Sequence, residues 1–194
     1  VEAALPPGAE HKIIECHSDW ARARAIAALD HEIVAFVDDD DYISESSLST
    51  CLAALGHGLG SACTVEVRVD EDGIILGRTT GIKTYEGAAI HPMAIHHLFM
   101  FRGNLVDPRI LDLISTLDVG VDWMIRASVA LQHGCWSIPT DGYYWTSHPG
   151  QHTIDFQARY CQLMPETKAT IRRLWFGAFR GSLPTFSENQ TNLS

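Results

Sequence analysis

The sequence predicts one α/β domain with a mixed central sheet flanked by helices. Three observations lead there. Helix-like and strand-like segments alternate through the first third of the chain. A hairpin signal at Asp72-Gly73 follows, which adds antiparallel pairing to an otherwise parallel pattern. No internal repeat or domain linker interrupts the 194 residues, a length that supports one domain with a sizeable core. The expected division is a domain over residues 1–180 and a polar tail over 181–194.

In chain order, residues 1–10, with Pro6-Pro7-Gly8, read as a loose start, and Ile13-Ile14 as a short strand-like run. Residues 19–29 are alanine-rich with Asp19 as N-cap, hence helical. Ile33 to Val37 is a continuous apolar run, the pattern of a strand covered on both faces as in a parallel sheet. It ends abruptly in four aspartates. Ser44 to Leu55 reads as a helix with a serine cap and Gly56 beyond its last turn. From Thr64 to Asp70 the residues alternate, with Val65, Val67 and Val69 inward and Glu66, Arg68 and Asp70 outward. Ile74-Ile75-Leu76 begins the return strand. Residues 80–104 give no clear pattern. Asp107-Pro108 opens a helix to about Leu117, and Asp122 to His133 forms another, closed by Gly134. Cys135–Ile138 and Tyr143–Thr146 read as short strands, and Asp155 to about Phe176 as mostly helical, with a break or kink at Pro165.

The formal net charge of −10, with only 14 Lys and Arg, speaks against a phosphate backbone as partner, so no nucleic acid is expected. The five cysteines, at 16, 51, 63, 135 and 161, form no Cys-x-x-Cys pair and are odd in number. A reducing, cytoplasmic setting fits them better than a disulfide framework. No apolar run reaches the ~18 residues of a membrane span, so none is expected. The Asn189 and Asn192 triplets read as parts of a polar tail. The chain opens at Val1 without a signal-peptide pattern, and a processed or partial chain is one expectation.

The densest chemistry lies in Ile33-Val34-Ala35-Phe36-Val37-Asp38-Asp39-Asp40-Asp41-Tyr42-Ile43. On an extended chain Asp38 and Asp40 point the same way. The carboxyl end of a strand in an open α/β sheet is where ligands bind. Carboxylates crowded there repel one another unless a cation compensates. A hard divalent ion takes oxygen ligands and leaves positions open for substrate phosphates, so the run describes a metal and diphosphate site. A solvated acidic loop is the plainer alternative. It leaves unexplained why the run follows directly on an apolar strand.

Asp38 to Ile43 after an apolar strand resembles the Asp-x-Asp motif of glycosyltransferases with the GT-A fold, in particular the large family 2. Two further segments carry the resemblance. Ala21-Arg22-Ala23-Arg24-Ala25 is similar to the Ala-Arg-Asn segment ahead of the metal strand, with Arg24 at the arginine and Ala25 in place of Asn. An ordinary exposed helix arginine is the alternative for Arg24. Val121-Asp122-Trp123-Met124 and the later Tyr143 to Thr153 stretch, with His148-Pro149-Gly150, resemble the Glu-Asp-Trp helix and the Tyr-Arg-x-His-Pro-Gly-Ser segment. The three segments span residues 20–153 in the family's order.

The resemblance implies a GT-A domain that binds UDP or a UDP-sugar and transfers the sugar to an acceptor hydroxyl. It puts Asp38 on the ribose side of the nucleotide and Asp40 on a bridging Mn²⁺ or Mg²⁺, with Asp39 or Asp41 assisting. Arg24 and Trp123 join the nucleotide and sugar contacts, His148 becomes the further metal or diphosphate ligand, and Asp122 becomes the general base. Capping its helix is the commoner role for an aspartate at that place, and it is the resemblance that points Asp122 toward catalysis. His148 and His152 stand four apart with Pro149-Gly150 between them, which argues against a helical zinc pair. A surface role fits His152, and structural roles fit His96 and His97. Tyr143, Tyr144 and Trp145 suit either sugar stacking or packing.

The sequence departs from the family at two places. Only 37 residues precede Asp38, without the usual opening strand and loop, so the front of the nucleotide-binding half is expected to be divergent, removed or missing. Val121 also replaces the acidic residue ahead of the helix aspartate. Both departures keep a second function open, a glycosyltransferase-like protein that binds UDP and metal without transfer. An exostosin-like retaining transferase, with its Val-Asp-Asp-Asp run, leaves the stereochemistry open as well. A phosphohydrolase would also use carboxylates, but it gives the Tyr143–His148 segment no role.

Overall fold

The computed structural model describes residues 32–79, 97–110 and 121–149. The expected strand at Ile13-Ile14, the helix over 19–29 with Arg24, the helix over 155–176, and the tail lie outside them.

The described residues form a mixed α/β fold. Its six-stranded sheet comprises β1 (Ile33–Ala35), β2 (Tyr42–Ile43), β3 (Ser61–Asp70), β4 (Ile75–Thr79), β5 (Phe99–Arg102) and β6 (Cys135–Ser147). Helices α1 (Ser47–Leu55) and α2 (Val121–His133) and a 3-10 turn at Gly103–Leu105 complete it. The strand order is β1-β5-β3-β6-β2, with β4 also on β3. β5 runs antiparallel to both β1 and β3, while β6 runs parallel to β3. β1, β3 and β6 therefore share one direction, and their carboxyl ends point the same way. β6 follows β3 from Ser61 to Asp70, so β5 and β4 share the other edge of β3 in succession.

Several elements arise as their residues predict. The hairpin turns at Gly73, whose φ of +79° suits glycine. The Asp70 carboxylate accepts the amides of Asp72 and Ile74 at the same turn. Gly134 closes α2 with φ +79°, donating its N–H to the Ala130 carbonyl. Asp107 caps the helical turn that begins at Pro108, its Oδ1 accepting the Arg109 N–H at 2.9 Å. α1 begins at Ser47, later than the Ser44 of the sequence pattern. Ser44 accepts the Ser47 amide, and the Ser47 hydroxyl donates to the Gly142 carbonyl on β6 at 2.7 Å. These serines tie the start of the helix to the sheet.

Four expectations need correction. The strand before the aspartates is shorter, ending at Ala35, and pairs antiparallel with β5. Only Val34 of it is buried, and Phe36 and Val37 spend their apolar surface beyond the strand, on Phe101 and on the α1 core cluster. Glu66 does not face water. It is buried on the other face, where its Oε2 lies 3.9 Å from Nδ1 of the largely buried His97. The two short strands expected after α2 are one strand, β6, whose register against β3 shifts between Cys63 and Glu66. The shift absorbs Pro139 and brings Gly142 against Thr64, where a Cβ would stand 2.4 Å from the threonine hydroxyl. Finally, β5 arises from the patternless stretch, and Leu98 just before it and its own Phe99-Met100-Phe101 are fully or nearly fully buried.

One core cluster joins Leu48, Cys51 and Leu55 of α1 to Ala62, Leu98, Met100, Ile138 and Tyr143. The Cys135 thiol donates to Cys63 Sγ at 3.7 Å, and burial pushes the Cys51 thiol up to about 12. Among the described residues no helix is long and apolar enough to cross a membrane.

Candidate functional site

The shared direction of β1 and β6 brings the aspartate run and the end of β6 to one end of the sheet. β2 then pairs with β6, Tyr42 opposite Tyr144 and Ile43 opposite Tyr143, which clamps the run in place. Residues 38–41 make a turn, closed by the Asp41 N–H on the Asp38 carbonyl at 3.3 Å. The expectation that Asp38 and Asp40 point alike along an extended chain is thereby overturned, since the extended backbone has ended before them.

Within the turn each aspartate meets a different environment. Asp41 is half-buried. Its Oδ2 accepts the Tyr143 hydroxyl at 2.6 Å and its Oδ1 accepts the Thr146 amide at 2.8 Å. Burial lifts its carboxyl to about 6, against those two bonds, and the charges of Asp38 and Asp40 lift it further. The Tyr143 hydroxyl also accepts the Asp38 amide at 3.2 Å. Burial, followed by the Asp38 and Asp41 carboxylates, raises the Tyr143 phenol far above its ordinary range. Asp39 and Asp40 stand at the exposed tip. Asp40 Oδ2 lies 2.9 Å from His148 Nε2, a contact that bridges 108 positions in the chain.

That 2.9 Å is hydrogen-bond distance between the two side chains, and both groups are also of the kinds that a hard divalent ion takes as ligands. One oxygen and one imidazole nitrogen are acceptable donors. Among the described residues no group of three His, Cys, Asp or Glu is gathered around a metal position. A small divalent ion does not require one, since it commonly takes one or two protein ligands with phosphate and water oxygens for the rest.

A second polar cluster lies beneath the turn. The Tyr143 ring, fully buried, stacks on His97 with centroids 4.8 Å apart. Arg126 Nη1 donates to His97 Nε2 at 3.1 Å, and His97 Nδ1 lies 3.9 Å from Glu66 Oε2. Arg126 and Glu66 are 9% and 7% exposed, so their charges are held largely out of water. Among the described residues the Arg126 Nε has no hydrogen-bond partner. Arg126 sits one turn after Asp122 on α2. Asp122 and Trp123 therefore occupy the first turn of the helix that feeds this cluster. Their side chains, like Arg24, lie outside what the structure describes.

Of the residues expected at the site, Asp40 and His148 meet, with Asp38 and Asp39 in the same turn as Asp40. Sequence reasoning missed Glu66, His97, Arg126 and Thr146, and read Tyr143 only as a stacking or packing residue. Arg126 did leave a signal, as a lone cation in the otherwise apolar Met124-Ile125-Arg126-Ala127. The Thr146 contact is made by its backbone amide and leaves no side-chain signature. No protein-family model and no curated protein sequence matches the chain.

Proposed function

We propose that the chain is a metal-dependent glycosyltransferase of the GT-A type, which moves a sugar from a nucleotide-diphosphate sugar, UDP-linked, to an acceptor hydroxyl. The observation that carries this reading is the meeting of Asp40 and His148, two groups of the kinds that bind a divalent ion, at the carboxyl ends of β1 and β6. The mixed sheet and the order of the three resembling segments support it.

In this reading Asp40 and His148 hold Mn²⁺ or Mg²⁺. The ion, when bound, supplies Lewis-acid stabilisation of the charge that gathers on the leaving diphosphate. Asp38 and Asp39, with Arg24 and Trp123, contact the nucleotide and sugar. Asp122 takes the proton of the acceptor hydroxyl as its oxygen bonds to the anomeric carbon. The bond from that carbon to the diphosphate oxygen breaks, and UDP leaves with the electron pair. Inversion needs no covalent intermediate.

Calorimetry with UDP, in Mn²⁺ and again in EDTA, tests the metal bridge. Binding is expected only with the ion, because the acidic turn repels a bare diphosphate. Equal affinity in both conditions would sink the reading.

A further inference from the structure

Four carboxylates in succession have no intrinsic reason to hold one shape, since their mutual repulsion favours any conformation that spreads them. The turn over residues 38–41 nevertheless has a defined closure, and one buried hydroxyl touches both of its ends. Tyr143 accepts the Asp38 N–H at 3.2 Å and donates to Asp41 Oδ2 at 2.6 Å. The ring behind that hydroxyl is fully buried in the α1 core cluster and backed by His97. Its position is thus set by the core and not by the turn. The Thr146 amide, three residues further along β6, completes the hold on Asp41. Drawing Asp41 inward leaves the tip to Asp39 and Asp40, and Asp40 meets His148 there.

We propose that Tyr143 is the positioning residue of the acidic turn. Its hydroxyl fixes the turn in the shape that brings Asp40 to His148 before any ion arrives. The cost of gathering the carboxylates is met when the chain folds and not at each binding event, which is the physical content of preorganisation. This inference rests on the metal-binding reading for its consequence, though not for its structural claim.

Tyr143→Phe removes one oxygen and leaves the ring in the core. Ile138→Val, which loosens the packing of the same strand away from the turn, is the control. Mn²⁺ affinity is measured by calorimetry on the three proteins, and amide exchange at Asp38, Asp39 and Asp40 is followed without metal. In the wild type the Asp38 amide should exchange about tenfold more slowly than the exposed Asp39 amide. Equal rates would show that the hydroxyl bond is not formed and would overturn the proposal. In Tyr143→Phe the Asp38 amide should lose that protection, and Mn²⁺ affinity should fall about tenfold while Ile138→Val binds as the wild type does. Unchanged Mn²⁺ affinity in Tyr143→Phe overturns the positioning role. A wild type that binds neither Mn²⁺ nor Mg²⁺ defeats the functional reading instead. The role of Tyr143 is then decided by exchange alone: lost protection in Tyr143→Phe supports it, and retained protection overturns it.

Discussion

At the scale of single residues, Asp41 makes the sharpest claim on solution behaviour. Its carboxyl sits at about 6 in the folded chain, against an ordinary 3.8, and burial is the leading cause. The folded state therefore binds this proton more tightly than the unfolded state does. Its contribution to stability is fully present below about 4, declines as pH rises, and is gone above about 6. Other carboxylates act oppositely; Asp107, held down chiefly by its hydrogen bond from Arg109, favours folding at higher pH. The comparison with Asp41→Asn separates them. The difference in denaturation midpoint between wild type and Asp41→Asn should change between pH 4 and 6 and stay level above it. A difference that is flat across the whole range would mean that Asp41 titrates normally. The position of this residue in the run was legible in the sequence, but its role was not. Four identical side chains in a row carry no mark of which one turns inward, and that choice is made by a tyrosine 102 positions away.

At the scale of elements, the join between β3 and β6 depends on Gly142. An added Cβ there would lie 2.4–2.5 Å from the Oγ1, Cβ and Cγ2 atoms of Thr64. Gly142→Ala should cost roughly 1–3 kcal/mol, the usual toll of overpacking, read as a lower urea midpoint. Adding Thr64→Ala should not restore stability, because the Thr64 Cβ is itself one of the clashing atoms and remains. Its hydroxyl, which accepts the Leu98 amide at 3.2 Å, would also be lost. Full recovery in the double variant would show that the strands part more easily than their register implies. Elements with local chemistry were readable in advance: the Asp72-Gly73 hairpin, the Gly134 stop and the Asp107-Pro108 start each follow from residues within one turn. β5 and the unbroken length of β6 were not. The first lies in an apolar run without alternation, since its residues are buried on both faces. The second contains Pro139 and Gly142, which ordinarily mark strand ends and here sit within or beside a register shift.

For the molecule as a whole, the question is whether α2, the helix of Asp122, and the acidic turn act together. Asp122→Asn tests this. The amide retains the shape of the side chain but cannot take a proton, so UDP-sugar affinity should persist while transfer falls by on the order of 10²–10⁴. Full transfer by the variant would remove Asp122 as base, and a wild type that binds UDP but turns over with no acceptor in a broad panel would point to a binding module. The separation between Asp40 and His148 along the chain has a consequence during synthesis. At about 5–20 residues per second, the acidic turn leaves the ribosome roughly 5–20 s before His148 does. Through that interval the nascent chain carries four aspartates with neither the Tyr143 hydroxyl nor the His148 imidazole to meet them. A ligand that needs both halves can stabilise only the finished sheet by mass action, and lends nothing to the growing chain that precedes it.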